Sequence, residues 1–407
     1  MMLADLQEPP FRWVLLLLCV AAWILYQAVR AFYWHPLARF PGPRVAALTR
    51  LYKAYVECVA QGSFVHVLEK YHERFGDIVR VGPNELHFSN PATYLEIYNP
   101  ANRWDKEESL YHSFGEDRSS FGFLTYREAK ERKDVLNRML SRKAILGSQG
   151  IIQEKLLKAQ IKDMTDDPSK LEKLPHSRTV YHELLRPEAY KSGQVPCPGS
   201  LYEEAQALMF GGADTTGTTL MHGTFYILKL PHVYQRLKEE LHSAWPNFNT
   251  LPDLTDLEKL PYLTAVLKES LRISPGVASA LPRVVPPSGT KLSGHFIPGG
   301  TVVGMSSHFV HRNEAVFDKP NEFIPERWLG EEGKQLDKWL FSFSYGPRSC
   351  VGQNLAWAEL YFCFAHLYRK FDVTIDPSSP SELKWRDRFL PEYLGPHLKA
   401  KITPVIA

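Results

Sequence analysis

The residues best placed to do chemistry lie around Cys350, in the run FSYGPRSCVG at positions 343–352. A thiolate is both a nucleophile and a metal ligand. A cysteine just ahead of a helix has unpaired backbone N–H groups and the helix dipole to stabilise that charge. The stretch QNLAWAELYFCFAHLYR that follows reads as a helix, so Cys350 occupies such a place. Gly346 and Gly352 let the backbone turn sharply and approach a flat ligand closely, and Pro347 stiffens the loop. Arg348 offers a cation to a carboxylate. The remaining cysteines, Cys19, Cys58, Cys197 and Cys363, are widely spaced, the total is odd and no C-x-x-C pair occurs. Neither a disulfide framework nor a zinc site is expected, and a reducing compartment suits the main body. A lone cysteine opening a helix is ordinarily a small buried residue. Phe343, two glycines and Arg348 at this spacing make Cys350 a candidate ligand instead.

Two upstream groups extend the argument. Glu269 and Arg272 face each other at i, i+3 on a helix; taken alone, such a pair is usually a surface contact of little energy. Gly211-Gly212-Ala213-Asp214-Thr215-Thr216 lies inside a long, mostly apolar helical stretch. Each glycine within a helix costs about 1 kcal/mol relative to alanine, so the run needs a reason. Either the helix surface recedes there to admit a ligand, or another helix packs closely. Asp214 and Thr215 set a hydroxyl beside a carboxylate.

Together these runs resemble the cytochrome P-450 superfamily, whose cysteine loop has the form F-x-x-G-x-R-x-C-x-G. Phe343, Gly346, Arg348, Cys350 and Gly352 all match. Glu269 and Arg272 match the family's E-x-x-R, and FIPERW at 323–328 resembles its P-E-R-F segment with Trp328 in place of the last Phe. The resemblance implies a mainly α fold with a small β region, haem b as cofactor, Cys350 as the axial ligand to its iron, and monooxygenase activity. A thiolate in that position pushes electron density onto the iron and favours O–O cleavage. Arg327 would join Glu269 and Arg272 in a buried network supporting the cysteine loop, and Asp214 with Thr215 would deliver protons for dioxygen cleavage.

The same resemblance implies propionate contacts. Leu281-Pro282-Arg283 is similar to a segment whose arginine reaches a haem propionate. The run AKERKDVLNRMLS at 129–141 resembles the family's third helix, where H/W-R-x-R-R is usual. Here Ala129 replaces the aromatic residue, and Lys130 and Lys133 replace arginines. Arg132 and Lys133 are expected to neutralise a propionate, Lys133 only as a point charge. Substrate contacts are implied at Ala207, Ala213, Val277, Leu281, Phe389 and Leu390, whose apolar character suits a lipophilic small molecule. Electrons would come from NADPH through a membrane reductase docking near the cysteine loop. Fungal oxygenases of secondary metabolism, such as the trichodiene oxygenase group, are similar in pattern.

Helices must position these residues. Periodicity predicts one over Phe64–Phe75 with Gly76 as its stop, an exposed one over 128–146, a long one over 202–230, one or two over 254–271 and a last one after Cys350. Residues 77–88 read as a short hairpin, and 275–320 as short strands and turns. The uncharged run WVLLLLCVAAWILYQAV at 13–29 spans roughly 25 Å as a helix, slightly short of a bilayer core. Arg30 can snorkel, and Tyr33 and Trp34 suit the interface. Asp5 and Glu8 ahead of the run, with no small-residue cleavage site after it, argue against a cleaved signal. Arg30, Arg39 and Arg44 behind it place the bulk of the chain on the cytoplasmic side. The organisation expected is a single-pass anchor over 1–34 in the endoplasmic reticulum membrane, a proline-rich hinge over 35–45, and a haem-thiolate domain over 46–407. Among 407 residues, 44% hydrophobic and 23% charged, a net charge of +3 with no basic block excludes nucleic acid as a partner.

Length is where the chain departs from the family. Only 73 residues separate Ser141 from Asp214, roughly ninety fewer than usual, which is several helices at about 11–12 residues each. Those helices would roof the substrate pocket. A natural remnant with weakened activity and a coding sequence lacking one exon are both compatible with the shortening over 141–200. Two other functions stay open: a non-catalytic haem protein, and a thiolate-haem isomerase or dehydratase needing no reductase. The Asp214-Thr215 pair speaks against the latter, because such enzymes need no protons for dioxygen.

Overall fold

The computed structural model describes residues 10–160, 180–247 and 250–405. Helix α1 (Pro10–Val29) runs on through a π-helical turn at Arg30–Trp34, and Trp13–Trp34 is long and apolar enough to cross a membrane. The proline-bearing segment after it is docked rather than free. Leu37 and Phe40 are buried in the core, and the Arg80 guanidinium donates to the Ala31 carbonyl at 2.7 Å. Gly42 is required there, since a Cβ would lie 2.2 Å from the Arg80 carbonyl oxygen.

Helix α2 (Phe64–Phe75) stops at Gly76, which adopts φ 90° as a C-terminal stop does. Strands β1 (Ile78–Gly82) and β2 (Glu85–Phe88) form the expected hairpin. With β3 (Asp105–Lys106), β4 (Arg283–Val284) and β7 (Val302–Gly304) they build a sheet ordered β1-β2-β7-β4-β3. Only the β2–β7 pairing is parallel, because the long excursion between those strands returns in the same direction. The remaining strands form antiparallel pairs: the hairpins β5 (Thr290–Leu292) with β6 (His295–Ile297) and β9 (Lys384–Arg388) with β10 (Leu390–Leu394), and β8 (Phe371–Ile375) with β11 (Ala400–Pro404), which brackets the second hairpin in the chain. One apolar core lies between this sheet and α2.

The region expected as one exposed helix over 128–146 is two helices, α3 (Tyr126–Leu140) and α4 (Arg142–Gln160). Ser141 is extended between them, and its hydroxyl accepts the Ala144 N–H as a cap would. Nor is α3 exposed all round: Ala129, Arg132, Val135, Leu136 and Leu140 form a buried face at helical spacing.

Helices α5 (Pro198–Lys229), α6 (Pro231–Ala244) and α7 (Pro261–Ile273) each begin with a proline, which suits a first helical position that needs no N–H donor. With α8 (Gln353–Lys370) they enclose a second core. Gly223 marks the tightest crossing. A Cβ on it would stand 2.4 Å from Ser270 Oγ of α7 and 2.5 Å from Phe364 Cζ of α8. The fold is mainly α with small sheets.

Candidate active site

The cysteine loop is held from several sides. The Cys350 N–H donates to the Phe343 carbonyl at 2.9 Å, closing the loop on itself. Gly346 adopts φ 74°, and a side chain there would collide with the Tyr98 carbonyl, 2.0 Å from its Cβ. Lys133 reaches across from α3 and donates from Nζ to the Ser349 carbonyl at 2.6 Å. Ser342 Oγ donates to the Leu271 carbonyl at 2.8 Å, tying the loop to α7.

Behind the loop lies the Glu269 network. The Glu269 carboxylate, fully buried on α7, accepts from Arg272 at 2.9 and 2.7 Å, Arg327 Nε at 3.2 Å, the Trp328 indole at 2.8 Å and the Ile324 N–H at 2.8 Å. Arg272 in turn donates to the carbonyls of His311, Pro320 and Glu322. His311, which sequence reading passed over, accepts the Phe341 N–H on Nε2 at 2.9 Å and so joins the network to the start of the cysteine loop. Its signal in the sequence is nil, because a single histidine in a short turn has no pattern.

Above Cys350 opens a cavity of about 450 Å³ whose opposite wall is α5. The cysteine side chain is open to this cavity while lying deep within the chain. Burial pushes its thiol up, more than the N–H groups of Gly352 and Gln353 and the Lys133 charge bring it down. The helix start therefore does not by itself make a thiolate here; a bound metal ion would displace the proton. Gly211 and Gly212 line the cavity, and a Cβ on either would meet nothing within 4 Å. That removes close helix packing as their reason; in this molecule Gly223 has that task. Thr215 lines the cavity and donates from Oγ1 to the Gly211 carbonyl at 2.8 Å. Asp214 is exposed and does not line it. Ala207, Val277, Leu281, Phe389 and Leu390 do line it, but Ala213, proposed as a substrate contact, points outward to solvent and is corrected on that ground.

The rim of the cavity is cationic. Arg348 donates to the carbonyls of Phe123 (3.3 Å) and Leu124 (2.8 Å), and its Nε is buried without a partner among the described residues. Burial and then the Arg283 charge push it down to about 10. Arg283 does not itself line the cavity; it is buried behind Arg348, with Tyr111 Oη accepting from it at 2.7 Å. Lys106, unremarked in the sequence, is buried on the same rim. Arg132 is not on it. It donates to Glu204 at 2.9 Å and Ser200 Oγ at 2.8 Å, both on α5, so its expected role at a propionate is corrected. Glu204 is wholly buried and also accepts from the Ser120 N–H and hydroxyl. It binds the nearest guanidinium because a bare buried carboxylate is too costly.

An apolar cavity over a cysteine sulfur, rimmed by buried cations with an orphaned guanidinium nitrogen, suits a flat, apolar, dianionic metal complex. Haem has those properties, and the residues present fit it. The site and fold define a haem-thiolate protein. A family model described as cytochrome P-450 matches residues 153–392, and the chain belongs to that family. It is 31% identical to the cytochrome P-450 monooxygenase macH of Penicillium terrestre, over 93% of this chain and 96% of that protein. It is 28% identical to ankB of Aspergillus thermomutatus, over 96% and 93%, and 28% identical to cloA of Claviceps purpurea, over 94% of each. Both are also cytochrome P-450 monooxygenases. The alignment with macH spans 487 positions against 407 residues here, so at least 80 positions of it face no residue of this chain. The family implies a haem cofactor and an enzyme, and the relatives are fungal monooxygenases.

Consistent with the shortening, the middle of α5 is uncovered. Among the described residues Met209 is 73% and Phe210 48% exposed, on a helix whose ends are buried.

Proposed function

We propose that the protein is a membrane-anchored monooxygenase that inserts one oxygen atom into a C–H or C=C bond of a lipophilic small molecule. Two electrons would come from NADPH through a partner reductase. The observation that carries this reading is the Cys350 sulfur open to the floor of an apolar cavity whose far wall is the recessed surface of α5. Haem, when bound, supplies the dioxygen chemistry. The chain's own residues do the rest. Cys350 would hold the iron, and the Glu269 network together with Lys133 fixes the loop carrying it. Arg283, Arg348 and Lys133 would supply charge to the propionates. Phe389, Leu390, Val277 and Leu281 keep water from the reacting face and orient an apolar substrate. Thr215 Oγ1 holds a proton at the cavity wall and can turn from the Gly211 carbonyl towards the interior, with Asp214 on the solvent side as its source. The apolar α1 supports a membrane anchor, and on this reading the substrate entrance lies near lipid with the domain on the cytoplasmic face of the endoplasmic reticulum.

The test is spectroscopic. Reduced protein with carbon monoxide should show the absorption band diagnostic of thiolate ligation, and Cys350→Ala should lose that band while haem stays bound. Haem held without the band in the wild type would sink the ligand assignment.

The uncovered α5 favours a second reading, in which water enters the cavity and most electrons are lost to peroxide. Hydrogen peroxide formed per NADPH, with a reductase present, separates the two. A ratio near one supports an impaired remnant.

A further inference from the structure

We infer that Ser279 is a specificity-determining residue whose hydroxyl accepts a hydrogen bond from the substrate, so that the substrate is a lipophilic molecule bearing an O–H or N–H group. The inference deepens the monooxygenase reading above and rests on it.

Ser279 lines the cavity between Val277 and Leu281, on the segment that joins α7 to β4. The rest of that wall is apolar, with Phe114, Phe121, Phe389 and Leu390 on it. Ser279 Oγ donates to Asp387 Oδ1 at 2.6 Å. Asp387 is buried, and that oxygen accepts one further bond, from the Phe389 N–H at 2.9 Å. A buried carboxylate is costly unless donors meet it, and a hydrogen bond to a charged oxygen is stronger than one to a neutral oxygen. The Ser279 proton is therefore committed to Asp387.

A serine hydroxyl carries one proton and two lone pairs. With the proton spent, and with no group donating to Ser279 Oγ among the described residues, lone pairs are what this side chain offers the cavity. Thr219 and Ser120, also on the wall, likewise spend their protons inward, on the Thr215 carbonyl and on Glu204. The cations on the rim do donate, but in the reading above they face haem carboxylates. An acceptor in an apolar wall favours a ligand that brings the proton, and leaves a ligand without one to strand it.

Backbone strain at the neighbouring residue points the same way. Phe389 turns the β9–β10 hairpin at φ 72°, a conformation that persists in a residue with a side chain only where its surroundings hold it. Its N–H is held by Asp387, and its carbonyl accepts the Ala278 N–H at 2.8 Å. The ring is thereby set into the cavity wall, 4.8 Å from Phe114 between centroids. One buried carboxylate thus fixes an apolar substrate contact and the acceptor beside it, which makes Asp387 a positioning residue.

The experiment titrates the full-length, haem-loaded chain in detergent and reads binding from the spin-state change in the haem spectrum. The probes are alcohol–ketone pairs of one skeleton each: borneol and camphor, menthol and menthone, cyclododecanol and cyclododecanone. Comparing the alcohol preference within a pair between variants cancels uptake of the probes by the micelles. In at least one pair Ser279→Ala should lose about tenfold of that preference, all of it from the alcohol, with the ketone unchanged within about twofold. Ser279→Thr, which keeps the hydroxyl, should retain the preference.

An alcohol preference equal in wild type and Ser279→Ala for every pair overturns the assignment. So does a ketone that weakens as much as its alcohol, because the hydroxyl then acts as a donor or by packing. Failure of every probe to shift a spectrum that does show thiolate ligation overturns it as well. Should Ser279→Ala fail to fold, Ser279→Cys decides, since a thiol still has a proton for Asp387 but is only a weak acceptor; an undiminished preference in that variant refutes the assignment. A wild-type chain without haem, or without the carbon monoxide band, sinks the parent reading instead and is told apart by that result.

Discussion

Replacing Glu269 by glutamine should cost about 3–5 kcal/mol, because it leaves buried cations without their anion. The magnitude follows from the geometry. Five N–H contacts converge on this carboxylate, two from Arg272 and one each from Arg327, Trp328 and Ile324. A glutamine of the same shape keeps one acceptor oxygen and turns an NH2 towards groups that are themselves donors. Each orphaned donor costs about 1–3 kcal/mol, but a shared network does not add linearly, so the buried-pair figure governs. At about 2.1 cal/mol/K per residue, 4 kcal/mol lowers the unfolding midpoint of a chain this long by roughly 5 °C.

The assay is thermal unfolding of the full-length protein in detergent, with haem content measured alongside. The effect has a pH signature. Burial raises the Glu269 carboxyl, but the bonds and charges of Arg272 and Arg327 and the Ile324 N–H outweigh it, and the net shift is downward. A depressed carboxyl stabilises the fold above its unfolded value, about 4.3, and loses that stabilisation as pH falls through the folded value. The deficit of Glu269→Gln should therefore be full at neutral pH and shrink in acid. A drop below about 1 °C at neutral pH with unchanged haem content would refute the claim that this network supports the cysteine loop.

Glycine roles separate by substitution: Gly223→Ala should destabilise by about 1–3 kcal/mol through overpacking, whereas Gly211→Ala should stabilise by up to about 1 kcal/mol. Unfolding midpoints that move the same way would contradict that division. Gly346→Ala should weaken the carbon monoxide band and cost at least about 1–2 kcal/mol, since it forces a positive φ and meets the Tyr98 carbonyl; an unaltered spectrum and midpoint would count against it. Burial pushes Glu359 up to about 7, with Thr216 opposing, so its protonated form is preferred in the fold. Stability from this group is present below its unfolded value and lost as pH rises towards 7. Because the side chain is partly open to the cavity, Glu359→Gln should gain only about 1–3 kcal/mol over wild type at pH 8 and nothing at pH 4, measured by unfolding at both.

What the sequence made legible were features with local causes. The boundaries of α2, the hairpin β1–β2 and the start of α8 followed from periodicity, a terminal glycine and turn residues within a few positions of each other. Cys350, Gly346 and the Glu269–Arg272 pair were visible because their spacing along one segment is itself the signal. The break at Ser141 was not. Its cause is one hydroxyl capping the next helix, and serine is too common in helix surfaces to announce it. Ala213 was misplaced for a similar reason: which side of α5 faces the cavity depends on the helices against it.

Arg132 and Lys106 show the remaining difficulty in its plainest form. Nothing near position 132 says that a carboxylate 72 residues later will be buried against it. Once α5 sets Glu204 in the interior, desolvation demands a cation, and Arg132 on α3 is the one that reaches. Spending that guanidinium on α5 leaves the positive charge that lines the cavity to Lys106, Lys133 and Arg348. There Lys106 already sits opposite Arg283 by strand register. Charge in the site is thus apportioned between elements far apart in the chain. A motif read in one helix reports which residues are available for the cofactor, while the buried acids elsewhere decide which of them remain free to serve it.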